Sequence, residues 1–540
     1  MRTLLIALLV ACGGTSQIGP TRFQNSPAVL AVDDRQDVPK PPAFRDYLRT
    51  SYYVESFYQL WRRAIRLERP RRAIGVNAFD EVPNSTWFTN RTPMTPDEIR
   101  RGPLPDSPER FFPWTVKKGK SGGSDPGFVC EDSRGETFLL KFDLPTQPEV
   151  DTAADAISGR LLWALGYNTA TDHVVYFRRS DLKISPKATT VGDDGKKRPI
   201  VAADLEQILV SIPADAEGRL RGLTSMYIKG KTLGGAPRMG VRHDDPNDLI
   251  PHELRRDLRG ATALFAWLSH VDFKEDNTMD SWQEDPSDKN IHYVVHYLLD
   301  FGWTLGAAGA DTENPSLDFR YDVDLKETFL AVFTLGLRHE VWEQRTHSKH
   351  RGVGLFGVSD YRPGEWKPTM PSMLSILLAD RIDNLWASKL LIRLTREQIA
   401  AAVDAGRLTD PASVRYMVDT LIARQRITAA YWFRRAAPLD EFTIAGGKLC
   451  FTDLALRHQL ETAPTTFKIR AFDRNGAHVA TTSVSADAQG LACLAGATLS
   501  ASPDHYTVFR IESSRGTPPI LVHVANDPAN TPRVIGLYRL

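Results

Sequence analysis

Four cysteines in a chain of 540 residues are too few for a disulfide scaffold, and no spacing of Cys and His matches a zinc site. Charge of one sign is also missing. The 67 basic and 66 acidic residues leave a net charge of +1, so no global field favours nucleic acid or an anionic membrane, and nucleic acid is not expected as a partner. Beyond the first dozen residues no run approaches the roughly 20 apolar residues of a spanning helix. No internal repeat is visible. What remains is a composition ordinary for a soluble globular protein, in a chain too long for one core, so two or three domains are expected.

The N-terminus carries the first positive signal. Arg2 precedes the apolar run Leu4–Ala11, which ends Leu9-Val10-Ala11-Cys12-Gly13-Gly14. A charged start, a short apolar core and a small residue at the cut are the parts of a secretory signal. This one resembles a bacterial lipoprotein signal (1–12), which implies acylation of Cys12. An ordinary secretory signal and a buried apolar start are the alternatives. Gly13 rather than Asp follows the Cys, so the resemblance implies the bacterial cell envelope, with outer-membrane retention. Residues 13–42, rich in Gly, Ser, Pro and Asp without period, read as a flexible tether. Residues 43–110 read as a helical and irregular extension, with an aromatic-rich helix over Ala43–Leu67.

The densest chemistry lies in Ala266–Gly302. His270-Val271-Asp272-Phe273-Lys274-Glu275-Asp276-Asn277 is followed, after a polar excursion and an apolar run, by Leu298-Leu299-Asp300-Phe301-Gly302. These are the residue types that phosphoryl transfer needs. One carboxylate orients or deprotonates the attacking hydroxyl. An amide oxygen and a second carboxylate hold the metal ions that bridge the phosphates. Upstream, Trp114–Lys120, Gly127–Glu131 and Glu136–Asp143 read as three strands. The turn between the first two holds Gly122 and Gly123, which would let backbone N–H groups approach phosphate oxygens. The third strand carries Lys141, for which the bland alternative is a lysine ending an exposed strand. A helix over about Val150–Leu165, stopped by Gly166, offers Asp155 as the acid to hold that lysine, with Glu149 and Asp151 as alternatives.

Together these residues resemble a divergent form of the protein-kinase-like superfamily, and the Lys141 strand resembles the equivalent strand of HipA-type and phosphoinositide-kinase-like enzymes. The resemblance spans roughly Phe111–Ile392. It implies an α+β, two-lobed protein-kinase-like fold, with an N-lobe at 111–229 and a helical C-lobe at 230–437. It also implies roles. Asp272 would be the base and Lys274 would steady the transferred phosphoryl. Asn277 and Asp300 would bind Mg2+. Lys141 would hold the α/β-phosphates of ATP or another nucleotide, with Asp155 or Glu149 as its partner. His270 would be a packing residue. The sequence departs from the family in four places. The full G-x-G-x-x-G is absent, Val271 stands where the loop usually has Arg, the Asn277–Asp300 interval is long, and no A-P-E follows.

Other stretches complete the chain. Arg179–Leu205 reads as a charged surface insertion, and Gly302–Leu317 as a mobile loop. Arg345, His347, Lys349, His350 and Arg351 form a basic cluster that suits an anionic substrate, a lipid headgroup or plain solvent. From about Pro438 short Val, Ile, Thr and Phe runs between Gly, Asn and Asp turns indicate a C-terminal all-β sandwich, 438–540. Cys450 and Cys493 fall in it and are candidates to staple its two sheets. Two functions follow. One is a lipid-anchored phosphotransferase acting from a Mg2+-nucleotide on an unknown protein or envelope acceptor. The other is a kinase-like scaffold or binding lipoprotein without catalysis.

Overall fold

The computed structural model describes residues 17–43, 54, 57–59, 61, 71–120, 126–192 and 195–540. Cys12, Gly122 and Gly123 lie outside the described residues, as does most of the helix expected over Ala43–Leu67. The chain forms two compact units. One is Leu30–Val76 with Val82–Trp432, and the other is Met1–Val29, Asn77–Glu81 and Phe433–Leu540.

The larger unit holds a seven-stranded sheet of order β4-β7-β3-β2-β1-β5-β6. Its strands are β1 (Trp114–Gly119), β2 (Gly127–Glu131), β3 (Thr137–Lys141), β4 (Asp172–Phe177), β5 (Leu182–Val191), β6 (Lys197–Pro199) and β7 (Leu220–Met226). Alternate residues of a strand share a face. Val116 lies opposite Cys130, and Cys130 opposite Phe138, so one face collects these side chains. With Trp114, Leu140 and Phe177 they form one core. The stretch 179–205, read as a surface insertion, instead extends this sheet through β5 and β6. β5 runs parallel to β1, a pairing that turn signals do not announce. Helix α1 (Val150–Ala164) lies close to the sheet because its contact residue is small: Ala156 packs on Val174 of β4 and Leu223 of β7.

The rest of this unit is mainly helical. α2 (Arg256–Leu268), α3 (Arg381–Leu391), α4 (Arg396–Val403) and α5 (Pro411–Phe433) surround a core that includes Leu264, Trp267, Trp386, Ile399 and Leu421. α2 and α3 cross at Gly260, where a Cβ would stand 2.6 Å from the Trp386 ring. α4 starts on a capping box: Gln398 N donates to Thr395 Oγ1 at 3.2 Å, and Thr395 N to Gln398 Oε1 at 2.7 Å. A small sheet of order β10-β9-β8 joins β8 (Lys231–Gly234) to the hairpin of β9 (Thr278–Glu284) and β10 (His292–Leu298). The segment after Gly302, expected as a mobile loop, is packed. Leu305, Ala307, Ala308 and Ala310 are buried, and Leu355 N donates to Gly306 O at 2.9 Å.

The smaller unit has two antiparallel sheets, β11-β12-β15 and β14-β13-β16-β17-β18. They comprise β11 (Leu439–Ala445), β12 (Lys448–Asp453), β13 (Thr466–Asp473), β14 (His478–Ser485), β15 (Leu491–Ala495), β16 (Thr507–Ser513), β17 (Ile520–Asn526) and β18 (Pro532–Arg539). Leu449, Phe451 and Leu494 of the first sheet share a core with Phe467, Ile511 and Val522 of the second. Cys450 and Cys493 are joined, but they sit directly opposite each other on β12 and β15. The disulfide therefore clamps two strands of one sheet and does not staple the two sheets. The tether reading also needs correction for residues 17–42. Ile18 is buried with Tyr506 and Leu521 in the smaller unit. In the larger unit Val38 is buried, and Asp34 accepts from Thr86 N at 2.7 Å and Thr86 Oγ1 at 2.9 Å. A polar segment docks through a few side chains that its average composition hides. Among the described residues no helix is long and apolar enough to cross a membrane.

Candidate active site

α2 ends at Ser269, whose left-handed backbone, φ 53°, turns the chain into the loop His270–Asn277. His270 N donates back to Phe265 O at 2.9 Å, and its buried ring packs edge-on against Phe265 and Phe301. Burial lowers the His270 pKa to about 4, so the ring is neutral packing at ordinary pH. Asp272 accepts from Lys274 Nζ through both carboxylate oxygens. Asn277 Nδ2 donates to the Asp272 backbone oxygen and, at 3.3 Å, to Asp272 Oδ2. Leu299 N donates to Asn277 O at 2.9 Å, which ties this loop to the segment that carries Asp300.

Asp300 has φ 60°, a backbone region a side-chain-bearing residue seldom adopts and one that recurs at functional sites. Its Oδ1 accepts from Lys141 Nζ at 2.8 Å. The same ammonium donates to Asp155 Oδ2 at 3.0 Å, and Asp155 Oδ1 accepts from Phe301 N at 2.8 Å. One carboxylate on α1 thus holds both the β3 lysine and the backbone beside Asp300. A second clasp lies one turn on, where the Ser158 and Thr304 hydroxyls meet at 2.6 Å. Next to Ser158 stands Gly159, where a Cβ would come within 3.2 Å of the Phe301 ring.

The structure thus gathers Lys141, Asp155 and Asp300 in one cluster, and Asp272, Lys274 and Asn277 in an adjoining loop. Lys141 is buried, not the end of an exposed strand. Glu149 is directed elsewhere: it accepts from Thr409 N at 2.9 Å, Thr409 Oγ1 at 2.6 Å and Arg351 Nε at 2.7 Å.

The electrostatics follow from burial and these pairings. Burial opposes the Lys141 charge, but Asp155, Asp300 and Asp172 outweigh it and hold its pKa well above the ordinary lysine value. The Lys141 ammonium holds Asp300 down at about 2 against burial, with Lys120 and Lys274 adding to the effect. Burial raises Asp155 against the pull of Lys141. It also raises Asp272, against the pull of Lys274, and Asp300 adds to that rise. The sequence reading missed Asp172. It lies at the start of β4, burial with Asp155 nearby lifts it to about 8, and its Oδ1 has no hydrogen-bond partner among the described residues. Glu275 was missed too: it pairs with Arg238 beside the Asp272 loop, and burial raises it to about 7. What the sequence does not show is their burial: Asp172 is enclosed where β4 packs against α1, and Glu275, inside the His270–Asn277 loop, meets Arg238 from outside it.

Chemically, the site sets the carboxylates of Asp155, Asp272 and Asp300 and the Asn277 amide among Lys120, Lys141 and Lys274. Asp300 is the open member, with 55% of its side chain exposed. Asn277 spends its N–H groups on Asp272, which leaves its amide oxygen as the donor atom for a cation. Oxygen donors suit a hard divalent ion, but among the described residues no three His, Cys, Asp or Glu side chains form a metal cluster, so a polyphosphate would have to bring further oxygens and negative charge.

No family model matches the chain, and no curated protein matches it. Solved structures do align with it. A Helicobacter pylori proinflammatory kinase, CtkA, is 9% identical with a TM-score of 0.31, over 58% of this chain and 94% of that one. Hydra Fam20, solved with sugar, is 12% identical with a TM-score of 0.27, over 60% of this chain and 86% of that one. A Golgi casein kinase with Mn and ADP bound is 10% identical with a TM-score of 0.27, over 59% and 72%. At TM-scores below 0.5 these likenesses carry no argument about the chemistry of this chain, which rests on the side-chain geometry.

Proposed function

We propose that the chain is a phosphotransferase with a two-lobed, protein-kinase-like fold. It would move a phosphoryl, or a nucleotidyl, group from a Mg2+-nucleotide such as ATP to a protein or envelope acceptor. The observation that carries this reading is Lys141 bridging Asp155 and Asp300, three residues from β3, α1 and the segment after β10. In this role Lys141 would hold the α/β-phosphates and Asp155 would hold Lys141. Asn277 and Asp300 would ligate Mg2+. Lys274 would steady the transferred group, and Asp272 would accept the proton of the acceptor hydroxyl. When bound, the divalent ion supplies charge neutralisation on the phosphates. The test is transfer of label from γ- or α-labelled ATP to an envelope extract. Label from the γ position means kinase chemistry, and label from the α position means nucleotidyl transfer.

A different observation favours the second reading, a scaffold without catalysis. Asp272 and Asp300 are each already paired with a lysine of the chain, Lys274 and Lys141, so neither carboxylate lacks a cation in the absence of a nucleotide. Purified protein that binds no Mg2+-nucleotide and moves neither label would establish that reading. For location we propose a lipid anchor at Cys12 in the bacterial envelope. Its test is fractionation, with Cys12→Ser expected in the soluble fraction and retention in the membrane pellet counting against it.

A further inference from the structure

Residues 323–341 form an excursion around the helix Leu325–Phe333, which has no buried residue. Phe333 is 81% exposed, Leu335 85% and Leu337 79%, and Phe329, Val332 and Val341 are exposed beside them. Single exposed apolar side chains need no explanation, but six in one short stretch form a patch that requires a partner.

One member of the patch, Val341, also lines a cavity of about 430 Å3, whose wall continues through His347, Lys349 and His350. The charges there are unequally engaged. Arg345 is tied to Asp318 at 3.1 Å and Asp360 at 2.5 Å, and Arg351 to Glu149 at 2.7 Å. Neither Lys349 nor His347 has an acidic partner among the described residues. The acids of the excursion already have basic partners, with Arg338 shared between two of them. Arg338 meets Glu327 at 2.7 Å and Glu340 at 3.1 Å, His339 meets Glu343 at 3.2 Å, and Lys367 meets Asp324 at 2.5 Å.

We infer that residues 323–350 dock on an anionic lipid surface. Phe333, Leu335 and Leu337 enter the acyl boundary, and the cavity beside Lys349 and His347 takes a phosphate headgroup. The argument is complementarity of two kinds in one place. A soluble anion would need the cavity alone. A bilayer surface presents apolar matter and fixed negative charge side by side, as this stretch requires. The inference rests neither on the lipid at Cys12 nor on the chemistry proposed for Asp272 and Asp300.

The test uses the full chain carrying Cys12→Ser, which cannot be acylated there. It is sedimented with vesicles of phosphatidylethanolamine and phosphatidylglycerol, or of phosphatidylcholine alone. Binding to the anionic vesicles is expected, and excess inorganic phosphate should not abolish it. Adding Phe333→Ser and Leu335→Ser should lower the partition coefficient about tenfold or more, since the apolar area entering the acyl boundary is lost. Adding Lys349→Glu should lower binding to anionic vesicles about fivefold or more and spare binding to neutral ones. All three positions are exposed, so unchanged melting temperatures should accompany these losses. Absence of vesicle binding by the parent, or binding that Phe333→Ser with Leu335→Ser leaves intact, overturns the inference. So does a concentration-dependent dimer that the same pair of changes dissolves, which would make the patch a contact between copies of this chain.

Discussion

Lys141 and Asp300 lie 159 positions apart in the chain, yet the ammonium and the carboxylate meet at 2.8 Å, with Asp155 on the other side of the same nitrogen at 3.0 Å. The pairing makes Lys141 a structural residue as well as the proposed phosphate holder. Asp155 has a side chain only 2% exposed and relies on this lysine for its counter-charge.

Removing one partner of a buried pair leaves an uncompensated charge, at a cost of about 3–5 kcal/mol. Lys141→Met should therefore destabilise the ligand-free protein by that order in urea melts. Adding Asp155→Asn should recover part of the loss, because the stranded charge is gone. Strictly additive losses would show that the two side chains do not act as a pair.

Two carboxyls of the site give opposite pH dependences. Asp172 has its folded pKa raised to about 8, so between the ordinary Asp value near 4 and pH 8 the folded state binds a proton that the unfolded state has lost. Stability from this group falls as pH rises, by about 1.4 kcal/mol per unit. Asp172→Asn should flatten the slope between pH 5 and 7 by that amount. Asp300 works the other way. Its folded pKa is held near 2, so its contribution is full above about pH 4 and is lost as pH falls toward 2. Chemical melts of wild type and Asp172→Asn at three pH values check the first claim. Parallel slopes would place Asp172 in a wetter setting than the structure gives it.

What the sequence reveals here is what is written locally. The alternation of Trp114, Val116, Phe128, Cys130, Phe138 and Leu140 marks β1 to β3, since a strand's burial repeats every second residue. The capping box at Thr395 and the spacing from Asp272 to Asn277 are local in the same sense. Burial of Lys141 is not, because it depends on α1 lying against β4 and β7. Asp172 is hidden for the same reason: it is enclosed where β4 packs against α1 and pairs with β7, far along the chain. The direction of the Cys450–Cys493 bond depends on β12 lying beside β15, with two strands of the other sheet between them in sequence.

That bond supports a stability prediction of its own. It spans 43 positions, and closing a loop of that length removes unfolded-state entropy worth about 4 kcal/mol. Replacing Cys450 and Cys493 with Ala should lower the melting transition of the smaller unit, with about 2–4 kcal/mol lost. Cys493 is exposed, so a thiol reductant should reproduce the effect in the folded wild type. A melt insensitive to both treatments would mean that the sheet is held by its packing alone.

The two carboxylates of the site separate catalysis from scaffolding. Asp300 sits with Lys141 and faces solvent, so Asp300→Asn should weaken metal-dependent nucleotide binding together with turnover. Asp272 is engaged by Lys274 and Asn277 and faces the acceptor in the proposed arrangement. Asp272→Asn should leave nucleotide binding nearly intact while lowering the rate about 10²–10⁴-fold, the usual contribution of a general base. Calorimetric titration with Mg2+ and ATP measures the first quantity, and label transfer with both variants beside the wild type measures the second. Equal binding losses in the two variants would dissolve the distinction between metal ligand and base. If wild type moves no label while all three proteins bind nucleotide alike, neither carboxylate is a working part, and the scaffold reading takes the place of the enzyme.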